Sequence, residues 1–180
     1  MINVSIARRY ARALLAVATE VNRVDEVMRE LDGLVGLMAE SPDLRNVMAS
    51  PGFSREQRQE IFGEVTGGGA VAEPTASFLR LLIDRGRIEH LQQIARIYTE
   101  FADEAARRVR AEVFTPRPLE LDEVRRLEAA LSDIEGNKSI EMTQQIVPSL
   151  LGGVVAKVGD RVFDGSLKTQ LEKIRQAALS

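Results

Sequence analysis

The spacing of apolar residues first leaves the helical period near residue 109 of this 180-residue chain, and that change dictates most of what it can fold into. Val24, Met28, Leu31, Val35 and Met38 recur at alternating steps of four and three. Ile88, Leu91, Ala95, Tyr98, Ala102, Ala105 and Val109 do the same over a longer stretch. Such spacing places one apolar seam along a helix. Then Val109, Ala111 and Val113 alternate with Arg110 and Glu112, the two-residue repeat of a strand. The expected fold is therefore α+β and mostly helical. An N-terminal six-helix bundle occupies residues 1–108 and a small C-terminal α+β domain residues 109–180.

Punctuation supports both halves. Ser41-Pro42 separates the second helix from a short third one carrying Leu44, Val47 and Met48, and Ser50-Pro51-Gly52 breaks the chain again. Ser54 followed by Gln57 is a capping-box pattern ahead of Ile61, Phe62 and Val65. Gly67-Gly68-Gly69 reads as loop, because three glycines cost a helix about 3 kcal/mol relative to alanine. Pro74 suits the first turn of the fifth helix and Gly86 its stop. In the second half, Pro116 and Pro118 end the first strand, and Val124, Leu127, Leu131 and Ile134 return to helical spacing. Gly136-Asn137 then turns the chain into a strand marked by Ile140, Met142 and Ile146. Gly159-Asp160 between two apolar runs signals a tight hairpin. After Asp164-Gly165, Ser166 caps a final helix with Leu167, Leu171 and Ile174 on one face.

Composition excludes most chemistry. There are 24 basic and 27 acidic side chains, divided 15 and 16 up to Arg110 and 9 and 11 after it. Neither half is basic, so binding of nucleic acid lacks its electrostatic drive. The absence of cysteine rules out disulfides, thiolate nucleophiles and Cys-ligated zinc. His90, the lone histidine, reads as a surface or capping residue, and Asp103-Glu104 and Glu100 with Arg107 and Arg108 as a solvated face. A nucleotide phosphate loop needs Gly-x-x-x-x-Gly-Lys-Ser/Thr. Lys168-Thr169 follows Leu167 instead, and neither Gly67-Gly68-Gly69 nor Gly152-Gly153 leads into a lysine. A hydrolase using Ser166 or Asp164 lacks a base. No enzyme activity, metal, cofactor or nucleotide is expected. No apolar run reaches the roughly 18 residues needed to span a bilayer.

What remains is surface. The first helix carries Ile6, Tyr10, Leu14 and Val17 on one side and Ala7, Ala11, Leu15 and Ala18 on another. The fifth carries Phe78 and Leu82 on one side, Leu79 and Ile83 on another, and Leu81 near them. Helices apolar around most of their circumference lie central in a core or face a partner. The expected partner groove comprises Tyr10, Ala13, Leu14, Val17, Leu79 and Ile83, with Ala7, Ala11 and Gly86 small enough for a helix to approach. An unrelated helical adaptor with the same groove is the alternative.

Four motifs in order resemble the delta subunit of rotary F-type ATP synthases, the family of the oligomycin-sensitivity-conferring protein. They are Ala7-Arg-Arg-Tyr-Ala-Arg-Ala13, the Phe78 to Leu91 stretch with its Asp84-Arg-Gly-Arg87 turn, the Pro118-Leu119 helix entry, and the glycine-punctuated block from Leu150 to Arg175. The resemblance implies a non-catalytic stator subunit. Its N-terminal bundle would grip the N-terminal helix of an alpha subunit of the catalytic ring between the first and fifth helices. Its C-terminal domain would join the b subunits of the peripheral stalk. The expected location is the cytoplasmic face of a bacterial cell membrane, reached through the complex. Arg8, Arg9 and Arg12 without an acid before Glu20 superficially resemble a transit peptide, but the same residues form an apolar helix starting almost at Met1.

Overall fold

A computed structural model describes residues 4–50, 52–65, 71–166 and Thr169. The chain divides into two compact units, residues 1–102 and 103–180. Among the described residues it is an α+β protein with seven α-helices and one four-stranded sheet.

In the first unit the helices are α1 (Val4–Glu20), α2 (Val24–Glu40), α3 (Pro42–Ala49), α4 (Arg55–Val65), α5 (Glu73–Asp84) and α6 (Leu91–Ala105), the last preceded by a 3-10 turn at Ile88–His90. Their ends follow the punctuation. Ser41 ends α2 and caps α3, its hydroxyl accepting from the Leu44 amide at 3.3 Å, with Pro42 in the first turn. Ser54 and Gln57 form the reciprocal capping box of α4: the Gln57 amide donates to Ser54 Oγ and the Ser54 amide to Gln57 Oε1.

The core of this unit is built on Leu31, Leu82, Ile83, Ile88, Leu91, Ile94 and Tyr98, all but excluded from solvent. Each large aliphatic side chain buried there contributes about 1.5–3 kcal/mol. Tyr98 keeps its hydroxyl satisfied by donating to the Val24 carbonyl at 3.1 Å, and burial, then the charge of Asp25, pushes its pKa up to about 12. The long seam read from the sequence ends at Ala102. Ala105 is exposed, and Val109 already lies in a strand. Arg107 at φ +49° turns the chain, and Asp103 accepts from both Arg108 Nε and Arg110 Nε at 2.7 Å.

One polar contact fixes α5. Glu30 on α2 reaches the start of α5, where Oε1 accepts from the Ala72 amide at 2.6 Å and Oε2 from the buried Thr75 hydroxyl. A helix N-terminus has unpaired amides, and an acid from another helix meets that need where Ala72, at the cap, cannot. Glu30→Ala leaves Thr75 buried without its partner and is expected to destabilise the helical unit by about 1–3 kcal/mol. Urea unfolding followed by helix signal measures this, and an unchanged midpoint would remove Glu30 from the account.

In the second unit β1 (Arg108–Thr115) is followed by α7 (Leu121–Ile134), β2 (Ser139–Ile146), β3 (Val155–Val158) and β4 (Arg161–Asp164), with sheet order β2-β1-β3-β4. β1 and β2 are parallel, Arg108 opposite Ser139, as strands joined through a helix can be. β3 runs antiparallel to β1 and pairs with β4 across the two-residue Gly159-Asp160 link, where Gly159 takes φ +57°. Ala111, Val113, Ala156, Val158 and Leu131 of α7 form the core, with Leu127, Ile140 and Met142 against it. Ile134 and Ile146, the last apolar residues of their helical and strand repeats, are exposed at 51% and 54%. The glycine triplet 67–69 and the stripe Leu167, Leu171 and Ile174 lie outside the described residues.

Candidate functional site

α1 turns Ala7, Ala11, Leu14 and Ala18 into the core, four positions spaced at four, three and four. Three of them are alanines, so the helix lies close to its neighbours; Ala7 and Ala11, expected to admit a partner, are instead used for internal packing, whereas Gly86 is exposed with open space around it. α5 likewise buries Thr75, Phe78, Leu79, Leu82 and Ile83. Leu79 is 3% exposed and Ile83 2%, so both belong to the core and neither lines a partner groove.

An open apolar depression lies between α1 and α5. Ala13, Leu14, Val17 and Val21 of α1 and its following turn face Pro74, Ser77, Phe78 and Leu81 of α5 across this groove of about 440 Å³. Leu14 and Phe78 are buried and form its floor, while Val17, Val21 and Leu81 stand 46%, 46% and 42% exposed along its sides. These three are large aliphatic groups left in water on one contiguous strip, the arrangement that marks a docking surface.

Tyr10 sits beyond one end. Its ring meets Phe78 edge-on at 6.2 Å between centroids, and Arg87 Nη1 donates to its hydroxyl at 2.6 Å while lying over the ring. Tyr10 thus ties α1 to the segment after α5 and buttresses the groove without lining it. Of the six residues expected from the sequence, the structure brings Ala13, Leu14 and Val17 into the groove. Val21, Glu73, Pro74, Ser77, Phe78 and Leu81 complete it. Leu81 carried a signal in the sequence, an apolar residue off the main seam of its helix, and Val21 was hidden by lying after the helix end.

One charged residue, Glu73, lines the groove. Glu73 accepts from Arg80 Nη2 and the Ser77 hydroxyl, both at 2.7 Å. The Ser77 bond first, and the arginine charge second, hold its carboxyl below the usual carboxylate range. The Ser77 hydroxyl does donate to Glu73, but that carboxylate is also held by Arg80 and is less basic than usual, so the pair is a surface contact rather than an activated nucleophile. Elsewhere, Ser166 Oγ accepts the Thr169 amide at 3.3 Å, while Asp164 accepts the Ser166 amide at 2.9 Å and the Thr169 hydroxyl at 2.7 Å. These groups close a turn rather than activate one another. His90 is placed beside Glu89, at 3.5 Å. Among the described residues, no cluster of three His, Cys, Asp or Glu could hold a metal, and no helix is long and apolar enough to cross a membrane.

Comparison with known proteins agrees with this surface-dominated chain. Residues 6–178 match the family model described as ATP synthase delta (OSCP) subunit. The ATP synthase subunit delta of Myxococcus xanthus is 42% identical over 178 residues, covering 98% of this chain and 97% of that one. That of Geotalea uraniireducens is 40% identical over 95% and 94%. Among solved structures, a chain of the Toxoplasma gondii mitochondrial ATP synthase hexamer shares the fold over 97% of each chain, with a TM-score of 0.59 at 19% identity. A chain in the F1 head and rotor of the Polytomella F-ATP synthase covers 54% of this chain and 88% of its own, with a TM-score of 0.50 at 25% identity.

Proposed function

This chain belongs to the ATP synthase delta (OSCP) subunit family and is a non-catalytic stator subunit of an F-type ATP synthase, and from that premise we propose how its two ends divide the work. The helices α1 to α6 act as a six-helix bundle domain, residues 1–108, that caps the catalytic ring by gripping the N-terminal helix of an alpha subunit. Residues 109–180 form the domain that the b subunits of the peripheral stalk capture. Held in this way, the protein is peripheral to the cytoplasmic face of a bacterial membrane through the complex alone.

The observation that carries the ring assignment is the open groove between α1 and α5, with Val17, Val21 and Leu81 exposed along it. A helix laid there covers three aliphatic side chains and Pro74 with its own apolar face, the helix-in-groove mode of recognition. The mechanical logic is the same. Torque from the rotor acts on the catalytic ring, and a static link opposing it requires broad interfaces and no reacting groups.

Deleting residues 111–180 tests the division. The shortened chain is expected to retain the alpha-subunit N-terminal helix in a pull-down and to lose the b subunits completely. If it still couples stalk to ring, the assignment of the two ends is wrong.

A further inference from the structure

The sheet of the second unit has two edges, and only one of them is guarded. The β4 edge is four residues long and begins and ends on a charge, Arg161 and Asp164. The β2 edge is eight residues long, Ser-Ile-Glu-Met-Thr-Gln-Gln-Ile, with neither lysine nor proline. Its register with β1 runs unbroken from Arg108 opposite Ser139 to Thr115 opposite Ile146. Its one charge, Glu141, already lies 3.5 Å from the guanidinium groups of both Arg108 and Arg110. Edge strands of this length ordinarily carry a bulge, a proline or an unpaired lysine, because their free backbone groups template the addition of another strand.

The direction of those backbone groups follows from the ladder. The Ser139 amide donates to the Arg107 carbonyl at 3.0 Å and the Val147 amide to the Thr115 carbonyl at 2.7 Å, so the odd-numbered residues of β2 face β1. Alternation turns the N–H and C=O of Ile140, Met142, Gln144 and Ile146 outward. Water reaches this edge, since every residue from Thr143 to Ile146 is exposed. On the face toward α7, Ile140 and Met142 pack against the core, whereas Ile146 is 54% exposed. On the other face stand Glu141, Thr143 and Gln145, all exposed.

We propose that the occupant of this edge is a second copy of the chain: β2 pairs antiparallel with the partner's β2 about a twofold axis at Thr143, joining two four-stranded sheets into one. Ile140 then lies opposite the partner's Ile146 and Met142 opposite the partner's Gln144, so all the outward residues of both copies bond, giving roughly eight main-chain hydrogen bonds. On the other face Glu141 lies opposite the partner's Gln145 and Thr143 opposite the partner's Thr143, a favourable hydroxyl pair. Neighbouring registers are worse. Centred on Met142, the pairing sets Ile146 against Lys138; centred on Gln144, it sets Ile140 against Pro148, which has no amide to give; centred on Glu141, like charges meet. Main-chain bonds thus supply the affinity and side chains choose the register. A twofold uses each edge once, so the pair closes and covers an edge that would otherwise accept any extended chain. The contact is small, below about 1,200 Å², so association is weak and set by concentration. It draws on nothing in the groove between α1 and α5.

Sedimentation equilibrium of the full-length chain tests the pairing. The weight-average mass is expected to rise from one chain toward two between micromolar and millimolar concentration, with hydrogen exchange at the outward Met142 and Gln144 amides slowing over the same range. Thr143→Lys sets two ammonium groups face to face at the axis and is expected to weaken association about tenfold at low salt. Gln145→Glu sets a carboxylate against Glu141 of the partner subunit and is expected to weaken it about threefold, an effect that adding Glu141→Gln removes. All of these side chains are exposed, and an unchanged far-ultraviolet spectrum verifies the fold of each variant. A mass that stays at one chain to millimolar concentration overturns the proposal, as does a dimer indifferent to both Thr143→Lys and Gln145→Glu. A dimer weakened by Gln145→Glu but not restored by Glu141→Gln overturns the register.

Discussion

Replacing Gly153 by alanine in the full-length chain is expected to abolish the cooperative unfolding of the C-terminal sheet while the helical unit melts as before. Gly153 sits at φ +84°, where a side chain is strained in any surroundings. A Cβ there would lie 2.4 Å from the Gly165 carbonyl oxygen and 2.8 Å from Ser166 Cα. Both are backbone atoms at the end of β4, so the clash is relieved only by separating the segment before β3 from the one after β4. That separation breaks the bond from the Gly165 amide to the Val154 carbonyl at 2.9 Å. Strain of about 1–3 kcal/mol and overpacking of about 1–3 kcal/mol together rival the whole stability of a unit this small. Gly165→Ala is the control. Its Cβ meets Val154 O at 3.2 Å, without a positive φ, and a shift of a few tenths of an ångström accommodates it. Amide exchange read separately over β1 to β4 and over α1 to α6 distinguishes the outcomes. Equal protection of the sheet in Gly153→Ala and the parent would show that the crossing is not rigid.

The second large effect is expected at the groove. Val17→Asp combined with Leu81→Asp places one carboxylate on each wall, at side chains already 46% and 42% exposed, so the fold is retained. A helix bound between them would have to desolvate both charges against apolar side chains. Loss of two anchors and burial of unpaired charge correspond to about 3–5 kcal/mol, a factor of about a hundred to a few thousand in affinity for the alpha-subunit helix. Titration of that helix into the double variant measures it, alongside a melting curve that verifies the fold. The pair Leu79→Ala and Ile83→Ala is the complementary measurement. Those side chains lie in the core, so their loss is expected to cost about 2–5 kcal/mol of stability each. Wild-type affinity in the double aspartate variant would exclude the groove as the site.

Local chemistry was sufficient for everything that depends on neighbours in sequence. Ser41 before Pro42, the Ser54 and Gln57 pair, the alternation from Val109 to Val113 and the Gly159-Asp160 link each encode their own structure. The partners lie within a few residues, and the backbone has few ways to satisfy them. The family was legible for the same reason, as the order of such signals along the chain. Tertiary structure alone decided which side of an apolar helix faces inward. α1 and α5 carry apolar residues around most of their circumference, so the helical period is compatible with more than one buried face. Only the positions of the other helices set Ala7 and Ala11 inside, drew Leu79 and Ile83 into the core and left Val17 and Leu81 outside. The Glu30 contact to Ala72 and Thr75 spans more than forty residues and had no local sign. Likewise the need for glycine at 153 comes from a backbone twelve residues later in the chain, brought against it by the pairing of β3 with β4. Sequence period fixes where apolar residues fall around each element, and close packing with distant elements fixes which of them remain free for a partner.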